Sequence, residues 1–130
     1  MRRAEGLRIV RSVKPDSASE AAERAAAAEL DRIVRLIVEK FDPEKIVLFG
    51  SRAEGRAAPD SDADLLIVMR TSIPFWERGG AIRMALEHQE LGLDLLVFTP
   101  EELDERADDP FSLAHEILKN GKLLHARSAA

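Results

Sequence analysis

Two short polar segments carry the residue types in this chain that could do chemistry. Gly50-Ser51 follows the apolar run 45–49, and ten residues later Asp62 and Asp64 open a second apolar run. In a β-strand, side chains two residues apart point to the same face, so the two carboxylates are predicted to lie side by side. Two like charges about 4 Å apart repel by roughly 4 kcal/mol at an effective dielectric of 20, which a bound cation or a proton relieves. Oxygen-only ligands of this kind suit Mg²⁺, an ion that usually binds together with substrate phosphates.

The Gly50-Ser51 turn is predicted to supply the phosphate-binding half of the same site. Glycine lets the backbone approach a phosphate closely, and the N–H groups that open a helix point outward as anion donors. A short helix is expected from Ser51 to about Arg56, with the Ser51 hydroxyl both capping it and contacting a phosphate. Arg52 is expected to contact a phosphate as well. Either motif alone is usually a turn or a solvated loop, so it is their order and spacing, beside hydrophobic strands, that indicates phosphate and metal chemistry.

Hydrophobic patterning predicts the strands and helices that would position these residues. Apolar runs predict three strands and a short fourth near the C-terminus, at 45–49, 63–69, 93–98 and 122–125. Four longer helices are predicted from residue 16 or 19 to 41, from 74 to about 91, from 100 onward, and from about 111 to 119. The third of these should begin with a capping box formed by Thr99 and Glu102. The expected fold class is α+β, with a small mixed sheet and helices packed against it.

Composition and charge indicate a globular domain and narrow its functions. The 130 residues, 45% hydrophobic and 33% charged, suit a single domain, expected at 16–130 behind a basic arm at 1–15. A net charge of −5 argues against a broad nucleic-acid surface, although a nucleotide could still be bound locally. The absence of cysteine excludes disulfides and thiolate chemistry. Since no apolar run has membrane-spanning length and the N-terminus lacks a signal-like stretch, a cytoplasmic protein without membrane contact is expected.

The motif as a whole resembles a known superfamily. Gly50-Ser51-x10-Asp62-x-Asp64 is similar to the signature of the DNA polymerase β-like nucleotidyltransferases, and the segment 49–55 resembles their minimal form, the MNT family. The resemblance extends over roughly residues 30–125 and implies a small palm-like nucleotidyltransferase fold.

The resemblance also implies roles for individual residues. It implies a third carboxylate on a later strand, which Asp94 supplies. Asp62 and Asp64 would hold Mg²⁺, expected as two ions bridging a triphosphate, and Asp94 would complete the second metal site and help an acceptor hydroxyl lose its proton. The implied nucleotide-binding residues are Gly50, Ser51 and Arg52.

The first functional hypothesis is therefore an enzyme that moves AMP from ATP to an acceptor hydroxyl. Members of the MNT family are similar to antitoxins that pair with a HEPN-domain toxin and can adenylylate it, so a HEPN-type protein is the expected partner, in a homo- or hetero-oligomer. Two alternatives stay open: a binding subunit that neutralises its partner by contact alone, and a small-molecule nucleotidyltransferase. Three carboxylates kept together argue against the contact-only alternative, because a site freed from catalysis has no need of mutually repelling charges. The small-molecule alternative needs a larger acceptor-binding region than the sequence shows.

Overall fold

The computed structural model describes residues 17–58 and 61–128, and these form four helices and four strands. The helices are α1 (Ser17–Phe41), α2 (Phe75–Leu86), α3 (Pro100–Ala107) and α4 (Leu113–Asn120). The strands are β1 (Lys45–Phe49), β2 (Ala63–Val68), β3 (Leu93–Phe98) and β4 (Lys122–Ala126). The basic arm predicted at 1–15 lies outside the described residues.

The four strands form one mixed sheet in the order β3-β2-β1-β4. β1 lies antiparallel to both β2 and β4, whereas β2 lies parallel to β3. Parallel neighbours cannot be joined by a tight hairpin, and here the chain passes from β2 to β3 through α2. The expected α+β class with a small mixed sheet is confirmed.

Helices cover both faces of the sheet. Because side chains alternate between the two faces along each strand, consecutive residues of a strand are apolar. α1 and α2 pack on one face, where the core includes Ile33, Ile37, Ile46, Leu48, Leu65, Ile67 and Ile82. α3 and α4 pack on the other face, where the core is formed by Val47, Leu66, Val68, Phe98, Leu103, Ala114 and Ile117. We call this second face the α3/α4 face.

Helix α2 also protects the outer edge of β3. The backbone carbonyls of Leu93 and Val97 point away from β2 and accept hydrogen bonds from Arg83 Nη2 at 2.8 Å and Arg78 Nη1 at 3.2 Å. An edge strand otherwise presents unpaired backbone groups to water or to other chains. The two arginines therefore hold β3, and with it one wall of the site described below, against α2.

The predicted strands are confirmed to within one residue at each end. The capping box is confirmed too: the Thr99 hydroxyl accepts the Glu102 N–H, and the Glu102 carboxylate accepts the Thr99 N–H. Proline at the first position of α3 fits this start, since it needs no backbone donor there.

Two helix boundaries differ from the prediction. α2 ends at Leu86 rather than near residue 91, because Glu87 takes a φ of 64°, outside the helical region. α4 begins two residues later than expected, where the Ser112 hydroxyl accepts the His115 N–H as an N-cap. None of the helices in the described residues is long and apolar enough to cross a membrane.

Candidate active site

The three carboxylates singled out in the sequence meet at one end of the sheet. Asp64 in β2 and Asp94 in β3 are direct partners in the parallel register. Asp62 is the residue directly before the start of β2. Alternation places Asp64 in line with Leu66, and Asp94 in line with Leu96, so both acids extend the α3/α4 face. Asp62 and Asp94 are exposed and Asp64 is half-buried, which leaves the group accessible to a ligand. We call these three residues the acidic cluster.

Two glycines make room for the acidic cluster. A Cβ placed on Gly50 would overlap Asp64 Oδ2, and one placed on Gly92 would overlap Asp62 Oδ1. Any larger residue at either position would displace a carboxylate. Gly50 also has a φ of 75°, which only glycine adopts readily. Gly92 follows the helix that was predicted to end near residue 91, and the structure places it against the cluster.

The acidic cluster contains unfavourable interactions between like charges. Burial raises the pKa of Asp64, and the Asp94 charge, a hydrogen bond with Asp94 and the Asp62 charge raise it further. Because folding then favours the protonated form, ionised Asp64 lowers stability at neutral pH, and this cost disappears as the pH falls through the raised pKa. A cation bound between the carboxylates would offset the repulsion, and an all-oxygen set suits a hard divalent ion. Across 17–58 and 61–128, no three His, Cys, Asp or Glu side chains are arranged as a ready-made metal site.

The helix predicted after Ser51 is not formed. Residues 51–55 make consecutive turns, closed by a hydrogen bond from the Arg56 N–H to the Ser51 carbonyl at 2.9 Å. Gly55, with a φ of 74°, leaves the helical region and redirects the chain after one turn. Ser51 therefore caps no helix, and within the described part of the chain its hydroxyl has no hydrogen-bond partner. A phosphate contact from Ser51 stays a prediction.

Arg52 ties the loop that leads to Asp62. Its Nε and Nη2 donate to the Ser61 carbonyl at 3.1 and 2.8 Å, and Nη2 reaches the Ala58 carbonyl at 3.4 Å. The phosphate contact expected of this guanidinium from the sequence stays a prediction. What the structure shows is a positioning role, because Ser61 immediately precedes Asp62.

The segment that carries Gly92 is anchored to α1. The Glu29 carboxylate accepts the Glu90 N–H at 2.7 Å, and Arg32 Nη2 donates to the His88 carbonyl at 3.1 Å. Arg32 also donates to Glu29 at 2.8 Å, and this hydrogen bond lowers the pKa of Glu29 to about 2. Sequence reasoning missed these residues, since the partners lie 56 and 61 positions apart and no local pattern relates them.

A shallow depression of about 230 Å³ opens beside the acidic cluster. Its walls are formed by Asp64, Asp94, Phe49, Leu95, Leu96 and Leu113. Phe49 is the register partner of Asp64 on β1, and Leu113 begins α4. Neither was assigned to the site from the sequence. Phe49 could have been found, because it directly precedes Gly50, whereas only the fold brings Leu113 here.

Replacing Gly92 tests whether the glycine at this position holds the cluster open. Gly92→Ala should push the Asp62 carboxylate aside and weaken the binding of Mg²⁺ with ATP by about tenfold or more, since a displaced ligand loses a charge-assisted contact. The measurement is calorimetric titration of both proteins with ATP in Mg²⁺. Gly80→Ala is the matched control, because a Cβ on Gly80 meets nothing within 4 Å. Unchanged affinity in the Gly92 variant would contradict a role for this position.

The chain resembles known proteins in both sequence and structure. The family model described as "Polymerase beta, Nucleotidyltransferase" matches residues 31–130. A crystal structure of a candidate nucleotidyltransferase from Sulfolobus solfataricus aligns with a TM-score of 0.60 at 21% identity, over 88% of this chain and 91% of that one. A toxin–antitoxin complex with AMP-PNP aligns with a TM-score of 0.49 at 24% identity, over 77% and 74% of the two chains. The toxin–antitoxin MntA-HepT gives 0.46 at 21% identity, over 78% and 73%. No curated protein matches the sequence.

Proposed function

Because the chain belongs to the polymerase β nucleotidyltransferase family, we propose that it transfers AMP from ATP to an acceptor hydroxyl in a reaction that requires Mg²⁺. One observation carries the proposal: the direct pairing of Asp64 with Asp94, beside Asp62 and the Gly50 turn, at the open end of the sheet. This arrangement combines a place for a divalent ion with a backbone turn on which a phosphate can lie.

The donor atoms of the acidic cluster are of the kind that Mg²⁺ binds. Asp62, Asp64 and Asp94 offer only oxygen, and burial together with the charges of Asp94 and Asp62 raises the pKa of Asp64, so a cation would favour its ionised form. When bound, Mg²⁺ would neutralise charge on the triphosphate and on the attacking and leaving oxygens. Asp62 and Asp64 would hold the ions on the nucleotide side, with Asp94 on the acceptor side.

The chain's own residues then bind, orient and accept a proton. The acceptor oxygen forms a bond to the α-phosphorus of ATP while the bond to the bridging α–β oxygen breaks and pyrophosphate leaves. Asp94 takes the proton from the acceptor hydroxyl, directly or through water. Gly50 allows the triphosphate to approach the backbone, and Arg52 keeps Asp62 in place through the Ser61 carbonyl.

The acceptor in this proposal is a hydroxyl on a HEPN-type partner protein, which would make the chain an antitoxin. The support is the resemblance of the 49–64 motif to the MNT family. The chain contains no tyrosine, so if the acceptor is a phenol, it belongs to another molecule. A net charge of −5 also fits a protein partner better than a nucleic acid.

Removal of the divalent ion tests the core of the proposal. ATP should bind in Mg²⁺ and lose most of its affinity in EDTA, because three carboxylates repel an unshielded triphosphate. Calorimetric titration with ATP under both conditions measures the difference, and a repeat with Ca²⁺ in place of Mg²⁺ serves as the control for charge alone. Equal ATP affinity with and without the ion would overturn the metal-bridged mechanism.

A further inference from the structure

A second depression continues the one beside the acidic cluster. It has a volume of about 150 Å³ and is lined in part by Gly50, in the turn after β1. The two depressions share Phe49 and Leu113 and are therefore adjacent on the α3/α4 face; we call the pair the furrow. The furrow therefore starts at the carboxylates and passes the turn on which a triphosphate would lie.

The walls of this furrow include two apolar side chains that are partly or largely exposed to water. Leu113 is 57% exposed at the start of a helix that buries Ala114 and Ile117. Phe49 is half-buried and presents an aromatic side chain at the end of β1. A flat, apolar ligand placed between Phe49 and Leu113 would remove both from water.

The far rim of the furrow offers hydrogen-bonding groups. Asn120 and Glu116, both exposed, line the second depression, and Asn120 Nδ2 donates to Glu116 Oε2 at 2.6 Å. This bond uses one N–H of the Asn120 amide, whose carbonyl oxygen is an acceptor. A carboxamide can pair with the amino edge of adenine, whereas the same edge of guanine carries an acceptor that would repel its oxygen.

From this geometry we propose that the furrow between Phe49 and Leu113 binds the base of the nucleotide, an adenine whose amino edge meets Asn120. The inference rests on the proposed function, since the phosphates must lie on the Gly50 turn for the base to reach the furrow. Apolar contact and stacking hold the base, as they do wherever proteins bind bases by their flat faces. Asn120 selects adenine over guanine.

The test compares ATP with inorganic tripolyphosphate, both in Mg²⁺, by calorimetry. Wild type should bind ATP more tightly than tripolyphosphate, because only ATP carries the base. Leu113→Ser should weaken ATP binding roughly ten- to a hundred-fold, by the free energy of burying a leucine side chain, and leave tripolyphosphate binding within about twofold. Leu123→Ser is the matched control, since Leu123 is also 57% exposed and lies on β4. Asn120→Ala should reduce the preference for ATP over GTP.

The outcomes separate this inference from the proposed function. Wild type that binds tripolyphosphate as tightly as ATP overturns the base furrow alone, as does Leu113→Ser with unchanged ATP affinity. Equal weakening of both ligands by Leu113→Ser also overturns it, because the change would then act on the phosphate site. If Leu113→Ser lowers only transfer to a partner protein, the furrow contacts the acceptor instead of the base. Wild type that binds neither ligand defeats the proposed function and the inference with it.

Discussion

Asp94→Asn is expected to bind ATP with Mg²⁺ nearly as well as the wild type and to transfer AMP at least roughly a thousand-fold more slowly. Asp62 and Asp64 remain to hold the nucleotide, so the ground-state complex survives. The loss is confined to the transition state, where the carboxylate would accept a proton and complete the acceptor-side metal site. Metal-ion stabilisation of several kcal/mol corresponds to an effect of this size at about 1.4 kcal/mol for each tenfold change.

The assay is transfer of labelled AMP to the proposed HEPN-type partner, purified, beside an ATP titration of the same variant. Asp104→Asn is the control, because Asp104 is an exposed acid on α3, away from the sheet end that carries the cluster. Full transfer by the Asp94 variant would remove this residue from the mechanism. If the unmutated protein silences its partner without transferring AMP to it, neutralisation by contact is the function instead.

Asp94 also shows how far sequence reasoning reaches at this site. Apolar runs located the strands to within one residue, and a carboxylate at the second position of β3 is enough to place it once β2 and β3 are neighbours. Short apolar runs between turn residues are typical of buried strands, and the period of two within a strand then predicts which face its acids occupy. The motif then indicated the family, which the match over residues 31–130 supports.

The turn after Gly50 was less predictable for a physical reason. Ser51 resembles an N-cap, and the residues after it tolerate a helix, but Gly55 takes a left-handed conformation and the segment stays a set of turns. A five-residue stretch forms too few hydrogen bonds to overcome the cost of starting a helix, so tertiary contacts decide. Those contacts, above all Arg52 to the Ser61 carbonyl, span the loop and leave no periodic pattern in the sequence.

Buried polar contacts could not be predicted from the sequence either. Arg78, the buried charged residue in the described part of the chain, makes several of them. Its side chain is 7% exposed and meets Glu102 through two hydrogen bonds, from Nη1 at 2.6 Å and from Nη2 at 3.2 Å. The same guanidinium donates to the carbonyls of Ile73 at 2.8 Å and Val97 at 3.2 Å. In the sequence it is one arginine among many, and only the fold places it between α2, β3 and the capping box of α3.

Arg78→Ala should therefore cost about 3 kcal/mol of unfolding free energy and lower the unfolding midpoint by roughly 10 °C. The value is at the lower end for a broken buried pair, because Glu102 is 34% exposed and water can partly solvate it. Arg70→Ala is the control: Arg70 and Glu101 form an ion pair at 2.9 Å, but both are 68% exposed, so little change in the midpoint is expected.

The pH dependence of Arg78→Ala identifies the ion pair as the cause. The hydrogen bond from Arg78 lowers the pKa of Glu102 below its ordinary value of 4.5, so the pair stabilises the fold above that pH and loses this contribution as the pH falls through the lowered pKa. The gap in midpoint between wild type and variant should narrow in acid, leaving the part due to the two carbonyl contacts. A gap that stays constant from neutral pH into acid would assign the whole loss to packing and to those carbonyls.

Since Arg78 also holds β3 through Val97, a variant that unfolds early should lose the register of Asp64 with Asp94, and transfer should fail at the same temperature as the fold.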